Sequence, residues 1–341
     1  MLSTNMARGG AETQVARLAI ELRRRGHSVS ITSLRRPSAY TEEIEDAGVV
    51  LAKTAVVRQK PQILHCHMFH ANILGRLLRT VFPFPVVIST IHSTAETKAA
   101  SGGQLQARDL AYRLTDFLAD AVVGVSRPVV ERHQAAKAVR KALVIPNGVD
   151  TDRFRPPTRE ERERARHRLD LSESQFVWIA VGRLMWKKNF GALLEALPND
   201  SRTVLLLAGA GPDEPELRRV AGPNVRFLGE RTDVPQLLWA ADACVISSTV
   251  EGLPLAFLEA AACGLPCLAT DVGGIRETQI GFVLQNSTEL RAGLERMASL
   301  SESERQQLGR SARAIVEARY SLSAVTTEWE SLYRELLTAS T

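Results

Sequence analysis

Apolar and polar positions alternate along the chain in a repeating scheme. Short apolar runs, the mark of strands buried on both faces, are followed by longer amphipathic stretches of helical period. In the first half the runs at 29–34, 62–66, 85–90, 121–125 and 142–145 predict strands. The stretches 11–25, 69–82, 105–118 and 129–138 predict helices. Gly26 stands where a left-handed residue would close the first helix. A segment rich in turn residues follows, from Pro146 through Asn147, Gly148 and Asp150 to Pro156 and Pro157. The alternation then restarts, with strands predicted at 176–181, 203–208, 225–228, 243–247 and 266–270. Helices are predicted at 190–197, 214–220, 234–240 and 254–263. The last 50 residues read as helical. There Val325, Trp329, Leu332, Tyr333 and Leu336 form an apolar stripe that predicts packing.

Strands alternating with helices imply crossover units and parallel sheets. The expected fold is α/β, with two doubly wound, Rossmann-like sheets joined by a hinge and facing a cleft. The boundaries expected are 1–150, 151–320 and a terminal helix over 321–341 that packs back towards the first domain. Ligands of such sheets bind beyond the carboxyl ends of the strands, so motifs placed there carry the most information.

Composition narrows this picture. A chain of 341 residues, 45% apolar, suits two domains of ordinary size. No apolar run approaches the roughly 20 residues that span a bilayer. The polar opening Met1 to Gly10 does not resemble a signal peptide. The expectation is a cytoplasmic protein, soluble or peripheral at the inner face of the membrane. Cys66, Cys244, Cys263 and Cys267 sit among apolar neighbours and read as reduced core residues. Residues 1–155 hold 22 basic and 13 acidic side chains, a net of +9, whereas the remainder is −4. The basic half fits an anionic membrane surface or a merely solvated face. Nucleic acid is not expected, because aromatic residues are only 5% of the chain and do not interleave with the basic ones.

Several strand ends carry candidate chemistry. Gly9 and Gly10 precede the first helix, and either let a phosphate approach its N-terminus or form a plain turn. Gly209 and Gly211 resemble the start of a dinucleotide fingerprint, but no third glycine follows and Pro212 stands next, which favours a tight turn. Arg183 and Lys188 lie between a strand and a helix. They either converge on a diphosphate, whose charge grows as a glycosidic bond breaks, or are solvated loop cations.

The segment from Glu251 through Gly252, Leu253 and Pro254 to Glu259 is the sharpest signal. Pro254 suits the first helical turn, which puts Glu251 in the preceding loop and Glu259 inside an apolar helix. A carboxylate there needs hydrogen-bond donors, which ribose hydroxyls supply. His65 and His67 share one strand face, and His92 ends another strand. His65, His67 and His70 lack a nearby carboxylate and read poorly as a metal site. Asp150 and Asp152 imitate a metal-binding Asp-x-Asp, but in a linker rather than at a strand end.

Taken together, these residues resemble the family 4 (GT4) retaining glycosyltransferases of GT-B fold. The motifs occur in order: Gly9-Gly10-Ala11-Glu12, Thr90-Ile91-His92, Pro146-Asn147-Gly148-Val149-Asp150, Gly182-Arg183 with Lys188, Phe227-Leu228-Gly229, the E-x7-E from Glu251 to Glu259, and Asp271-Val272-Gly273-Gly274. The resemblance implies that Arg183 and Lys188 hold the donor diphosphate, capped by backbone N–H groups of Leu255 and Ala256. Glu259 would bind the ribose, Glu251 would face the transferred sugar, and Arg231 would lie by the base. The Gly9-Gly10 loop would close from the first domain, and His92 would sit near the sugar and acceptor. It also implies that no metal or other cofactor is needed and that the anomeric configuration is retained. The favoured mechanism is same-face attack, with the departing phosphate taking the acceptor's proton.

Two stretches depart from the family pattern. The opening strand within Met1 to Thr4 is short, and so is the region 48–61. Both lie in the acceptor domain.

The function expected is transfer of a sugar from a UDP- or GDP-sugar to a polysaccharide, glycolipid or lipid-linked acceptor. A transferase with a small soluble acceptor and a non-catalytic nucleotide-sugar-binding partner protein are the alternatives. Epimerase or phosphorylase chemistry on the same fold has no motif to support it.

Overall fold

The computed structural model describes residues 1–51, 59–94 and 102–340. Part of the shortened region 48–61 therefore lies outside the described residues. The chain divides into two compact units, one of residues 1–148 with 322–341 and one of residues 149–321.

Among the described residues the first unit holds a seven-stranded sheet in the order β3-β2-β1-β4-β5-β6-β7. Its strands are β1 Leu2–Ser3, β2 Ser30–Ser33, β3 Val50–Leu51, β4 Ile63–His67, β5 Val86–Ile91, β6 Ala121–Gly124 and β7 Leu143–Val144. The second unit holds a six-stranded sheet in the order β10-β9-β8-β11-β12-β13. These are β8 Phe176–Val181, β9 Thr203–Ala208, β10 Val225–Gly229, β11 Ala243–Ile246, β12 Cys267–Thr270 and β13 Phe282–Leu284. Every pairing between these strands is parallel. The strand order reverses between β1 and β4 and again between β8 and β11, which creates a topological switch point in each sheet.

Continuous burial explains the apolar runs. All six residues of β5 and of β9 are buried, because helices cover both faces of a parallel sheet. In the second unit Trp178, Leu205, Leu207 and Val245 pack with Phe190, Leu193 and Leu294 from the helices. In the first, Val86, Ile88 and Val123 pack against Leu18 and Leu22 on one helix and Val325, Trp329 and Leu332 on another. The stripe near the C-terminus is therefore core. Its helix, Leu322–Ser340, is also fastened by Arg25, which bonds Thr327 and Glu330 at 2.9 Å each. Gly26 adopts φ +93° and closes the helix Gly10–Arg24 with a bond from its N–H to Arg23 O.

Two local departures from the sequence expectation have physical causes. Arg159–Arg168 is a helix that apolar periodicity could not announce, since it buries only Ala165 and Arg166. Charge holds it instead: Arg162 and Arg166 reach Asp242 at 2.6 and 3.3 Å, and a Thr158–Glu161 capping box starts it. Pro254 is the N-cap of the helix Leu255–Ala262 rather than part of its first turn, with ψ of 122°. All four cysteines are free and buried. Among the described residues no helix is long and apolar enough to cross a membrane.

Candidate functional site

In the second unit the candidate residues follow the two strands that flank the switch point. Arg183 lies two residues beyond β8, and a single 3₁₀ turn, Trp186–Lys188, leads from it to the helix Phe190–Ala196. Asn189 joins turn to helix at φ +51°. Ser247, Ser248 and Glu251 follow β11.

The two loops meet in an ion pair, with Lys188 Nζ 2.6 Å from Glu251 Oε1. Their side chains are only 15% and 11% exposed, so the pair is shielded from screening. Ser248 Oγ donates to the same carboxylate oxygen at 2.8 Å. Ser247 Oγ donates to Lys188 O, and the Thr249 N–H donates to Lys187 O, both at 2.8 Å. Thr270 Oγ1, at the end of β12, donates to Ser248 O at 2.6 Å. Cation and carboxylate are thus held by both side-chain and backbone bonds.

Glycines allow this density. A Cβ on Gly209, which has φ +138°, would lie 2.0 Å from Gly182 O, and one on Gly211 would lie 2.2 Å from Leu184 O. The Gly209–Gly211 turn therefore carries the loop that presents Arg183, with a bond from the Leu184 N–H to Ala210 O at 3.0 Å. It is a packing turn. Gly273, at φ +53°, does the same for the Glu251 loop: its Cβ would meet Gly252 O at 2.1 Å, and the Gly274 N–H donates to that oxygen at 2.7 Å.

Leu255 and Ala256 open the helix Leu255–Ala262, which has no side-chain cap, so its first N–H groups are donors suited to an anion. Glu259 lies in that helix, half-buried among buried apolar residues. Arg231 lies beyond β10, where Asp233 binds it bidentately at 2.8 and 2.6 Å. Hydrogen bonding to Arg231 lowers the Asp233 pKa. Arg231 is not in the Lys188–Glu251 cluster. A bond from the Gly209 N–H to Gly229 O at 2.7 Å ties the end of β10 to the glycine turn that carries the Arg183 loop. Asp150 Oδ1 accepts the N–H groups of Asp152 and Arg153 at 3.2 and 3.0 Å, forming a turn.

The first unit carries a different cluster at its own switch point. His67 ends β4 and pairs in register with Thr90 of β5, and His92 follows β5. His67 Nδ1 and His92 Nε2 are 3.2 Å apart, with one imidazole proton between them. The His65 ring stacks 4.0 Å from that of His67, with Thr90 Oγ1 at 2.7 Å from its Nε2 and Tyr333 OH at 2.7 Å from its Nδ1. Burial pushes the His92 pKa down to about 4 and holds His65 and His67 well below the usual range. All three are neutral at physiological pH. Among the described residues, His67 Nε2 and His92 Nδ1 are buried without a hydrogen-bond partner.

Gly9 is the N-cap of the first helix, and a Cβ there would lie 2.5 Å from Glu12 Oε2. The Glu12 carboxylate thus lies against Gly9, whereas Gly10 is open to solvent. Among the described residues no group of three or more His, Cys, Asp or Glu side chains is placed to hold a metal ion.

The sequence did not announce Ser247, Ser248 and Thr270 as parts of these clusters, and it named His67 without its contact to His92. The signal available was position alone: hydroxyls directly after an apolar strand, and a histidine paired across the sheet with the strand that ends at His92.

Two parallel-sheet units of this topology in one chain define the GT-B class. The fold matches that of HepE from Anabaena, solved with UDP-glucose, at a TM-score of 0.84 over 99% of this chain and 98% of that one, with 20% identity. It also matches sucrose-phosphate synthase from Thermosynechococcus elongatus at a TM-score of 0.82, with 22% identity and 99% and 98% coverage. The family model described as Glycosyltransferase Family 4 matches residues 8–153, and that described as Glycosyl transferases group 1 matches residues 175–300. The chain belongs to the family 4 glycosyltransferases.

Among its relatives is the Escherichia coli UDP-Gal:alpha-D-GlcNAc-diphosphoundecaprenol alpha-1,3-galactosyltransferase, 30% identical over 67% of this chain and 63% of the relative. Another is a GDP-mannose-dependent monoacylated alpha-(1-6)-phosphatidylinositol monomannoside mannosyltransferase of Corynebacterium glutamicum, 34% identical over 59% and 58%. A D-inositol 3-phosphate glycosyltransferase of Actinosynnema mirum is 32% identical over 70% and 65%. The matched regions span about six-tenths of these relatives' lengths.

Proposed function

We propose that this protein is a retaining, metal-independent glycosyltransferase that uses a UDP- or GDP-sugar and a lipid-linked or glycan acceptor at the cytoplasmic face of a membrane. The observation that carries this reading is the Lys188–Glu251 ion pair of 2.6 Å at the switch point of the second sheet, beside an uncapped helix N-terminus. The donor diphosphate takes Arg183, Lys188 and the N–H groups of Leu255 and Ala256. Glu259 accepts from the ribose hydroxyls, Arg231 stands by the base, and Glu251 faces the sugar.

As the glycosidic bond breaks, charge accumulates on the departing phosphate oxygen, and fixed cations stabilise that state more than the ground state. The acceptor hydroxyl attacks from the same face and its proton passes to the departing phosphate. In the first unit, Gly9 and Gly10 offer a backbone approach to the donor. His92, neutral and with Nδ1 unpartnered, suits a hydroxyl of sugar or acceptor better than an anion.

The donors and acceptors named for the relatives support both arms of the reading: UDP-galactose and GDP-mannose on one side, a diphosphoundecaprenol and a phosphatidylinositol mannoside on the other. The relatives named for D-inositol 3-phosphate favour a second reading, a small soluble acceptor.

A transfer assay tests these. UDP- and GDP-hexoses are offered with a polyprenyl-diphosphate sugar, a phosphatidylinositol glycolipid and an inositol phosphate, and the product anomer is read by NMR. Retained configuration on a lipid acceptor is expected. Turnover on inositol phosphate alone favours the second reading, and an inverted product refutes the mechanism. Donor binding without transfer or hydrolysis on any acceptor leaves a non-catalytic binding partner.

A further inference from the structure

The helix Gly102–Thr115 and the 3₁₀ turn Asp116–Leu118 turn an apolar face to solvent. Leu110, Leu114 and Phe117 are 52%, 63% and 69% exposed, and their spacing puts them on one face. Tyr112, Thr115 and Asp116 are buried on the opposite side. Asp116 is thus turned inward with Tyr112, while Leu110, Leu114 and Phe117 face solvent.

The helix is firmly seated. Arg76 donates to Tyr112 O and Thr115 Oγ1 at 3.2 Å each, and Asn72 donates to Tyr112 OH at 3.1 Å. The exposed stripe therefore does not come from a loose helix that fails to reach its core.

Charge selects the occupant. Asp109, Asp116 and Asp120, the carboxylates nearest the stripe in sequence, are bound by Arg132, Arg140 and Arg79. Arg113 adds an exposed cation within the stripe itself, and Lys141 an exposed one beside Arg140. Residues 1–155 as a whole are net basic.

We propose that this face, centred on Leu110, Leu114 and Phe117 with the exposed cation Arg113 among them, docks the protein onto an anionic lipid surface. The inference rests on the lipid-linked acceptor reading above and assigns that acceptor's membrane to a particular face. A seated helix with apolar side chains outward and cations at its edge lies in the plane of the interface and does not cross it. Apolar contact and attraction to anionic headgroups act together there.

Sedimentation with vesicles of mixed phosphatidylcholine and phosphatidylglycerol, and of phosphatidylcholine alone, tests this. Wild-type protein is expected to partition onto the anionic vesicles and to leave them at high salt. Leu114→Ser with Phe117→Ser should lower that partition by about tenfold or more, and Arg113→Glu by several-fold. These positions are exposed, so the fold should persist, which circular dichroism and size-exclusion chromatography check. Wild-type protein that ignores anionic vesicles overturns the proposal, as does a double variant that binds as well as wild type. A double variant that instead breaks up a wild-type oligomer makes the face a contact between copies and also overturns it. Nucleotide-sugar binding belongs to the second unit. A protein that binds vesicles but no nucleotide sugar therefore loses the transferase reading while this face stands.

Discussion

The two units place chemistry at the same topological position and furnish it in opposite ways. Beyond β8 and β11 stand a lysine and a carboxylate in contact, locked by hydroxyls and by backbone that only glycines let approach so closely. At the ends of β4 and β5 stand histidines that burial keeps uncharged, two of them with a nitrogen that is unpartnered among the described residues. One end pairs a cation with a carboxylate, and the other keeps its imidazoles neutral. A doubly wound sheet fixes where a ligand goes, and the residues at the strand ends decide which kind.

The comparison breaks first at the cation. Lys188→Ala should lower kcat by about 100- to 1000-fold, the usual cost of losing a group that stabilises developing charge. A steady-state assay with the donor found to bind would read it, and an unchanged kcat would reduce the ion pair to scaffolding.

Gly209→Ala tests the backbone lock. Its Cβ would be driven against Gly182 O at a positive φ, so a destabilisation of about 3 kcal/mol is expected, with donor affinity falling in step. Urea unfolding gives the number, and a near-neutral result would show that the two loops have room to part.

The histidine end is tested by acid. His92 has a folded pKa of about 4, below its value in the unfolded chain. Its stabilisation is therefore complete above the unfolded pKa of roughly 6.5 and is lost as pH falls towards 4, which amounts to about 2 kcal/mol at pH 5. His65 and His67 act in the same direction. His92→Gln should flatten the acid limb of a stability-against-pH curve, whereas an unaltered limb would mean that other groups set it.

The smallest effect should come from Ser248→Ala. It removes a donor to Glu251 Oε1, worth about 1 to 2 kcal/mol, and a several-fold loss of activity with little change in folding is expected. Equal losses in activity and stability would make Ser248 a fold residue only.

Much of the fold was legible because parallel strands buried on both faces write themselves as apolar runs. The strands Phe176–Val181 and Thr203–Ala208 have the bounds that the pattern predicts. Arg159–Arg168 was illegible for the converse reason: arginines bonded to Asp242 and to backbone carbonyls leave no apolar period to read. At the candidate site, Lys188 and Glu251 could each be read from its motif. Their contact could not, because it depends on the register of β8 against β11, which spacing along the chain does not carry. Ser248, and the contact of His67 with His92, were hidden in the same way: each depends on a partner at another strand end.

The central claim is that the second unit binds a nucleotide-sugar donor through its paired cation and helix carboxylate. Its most direct test is the melting temperature of wild type, Lys188→Ala and Glu259→Ala with UDP-, GDP- and ADP-sugars, each variant judged against its own ligand-free value. A donor at about 100 times its Kd should stabilise wild type by roughly 2.7 kcal/mol. One nucleotide family is expected to give this shift, and both substitutions to abolish it. A wild type unmoved by every nucleotide sugar, or variants that shift as wild type does, would contradict it.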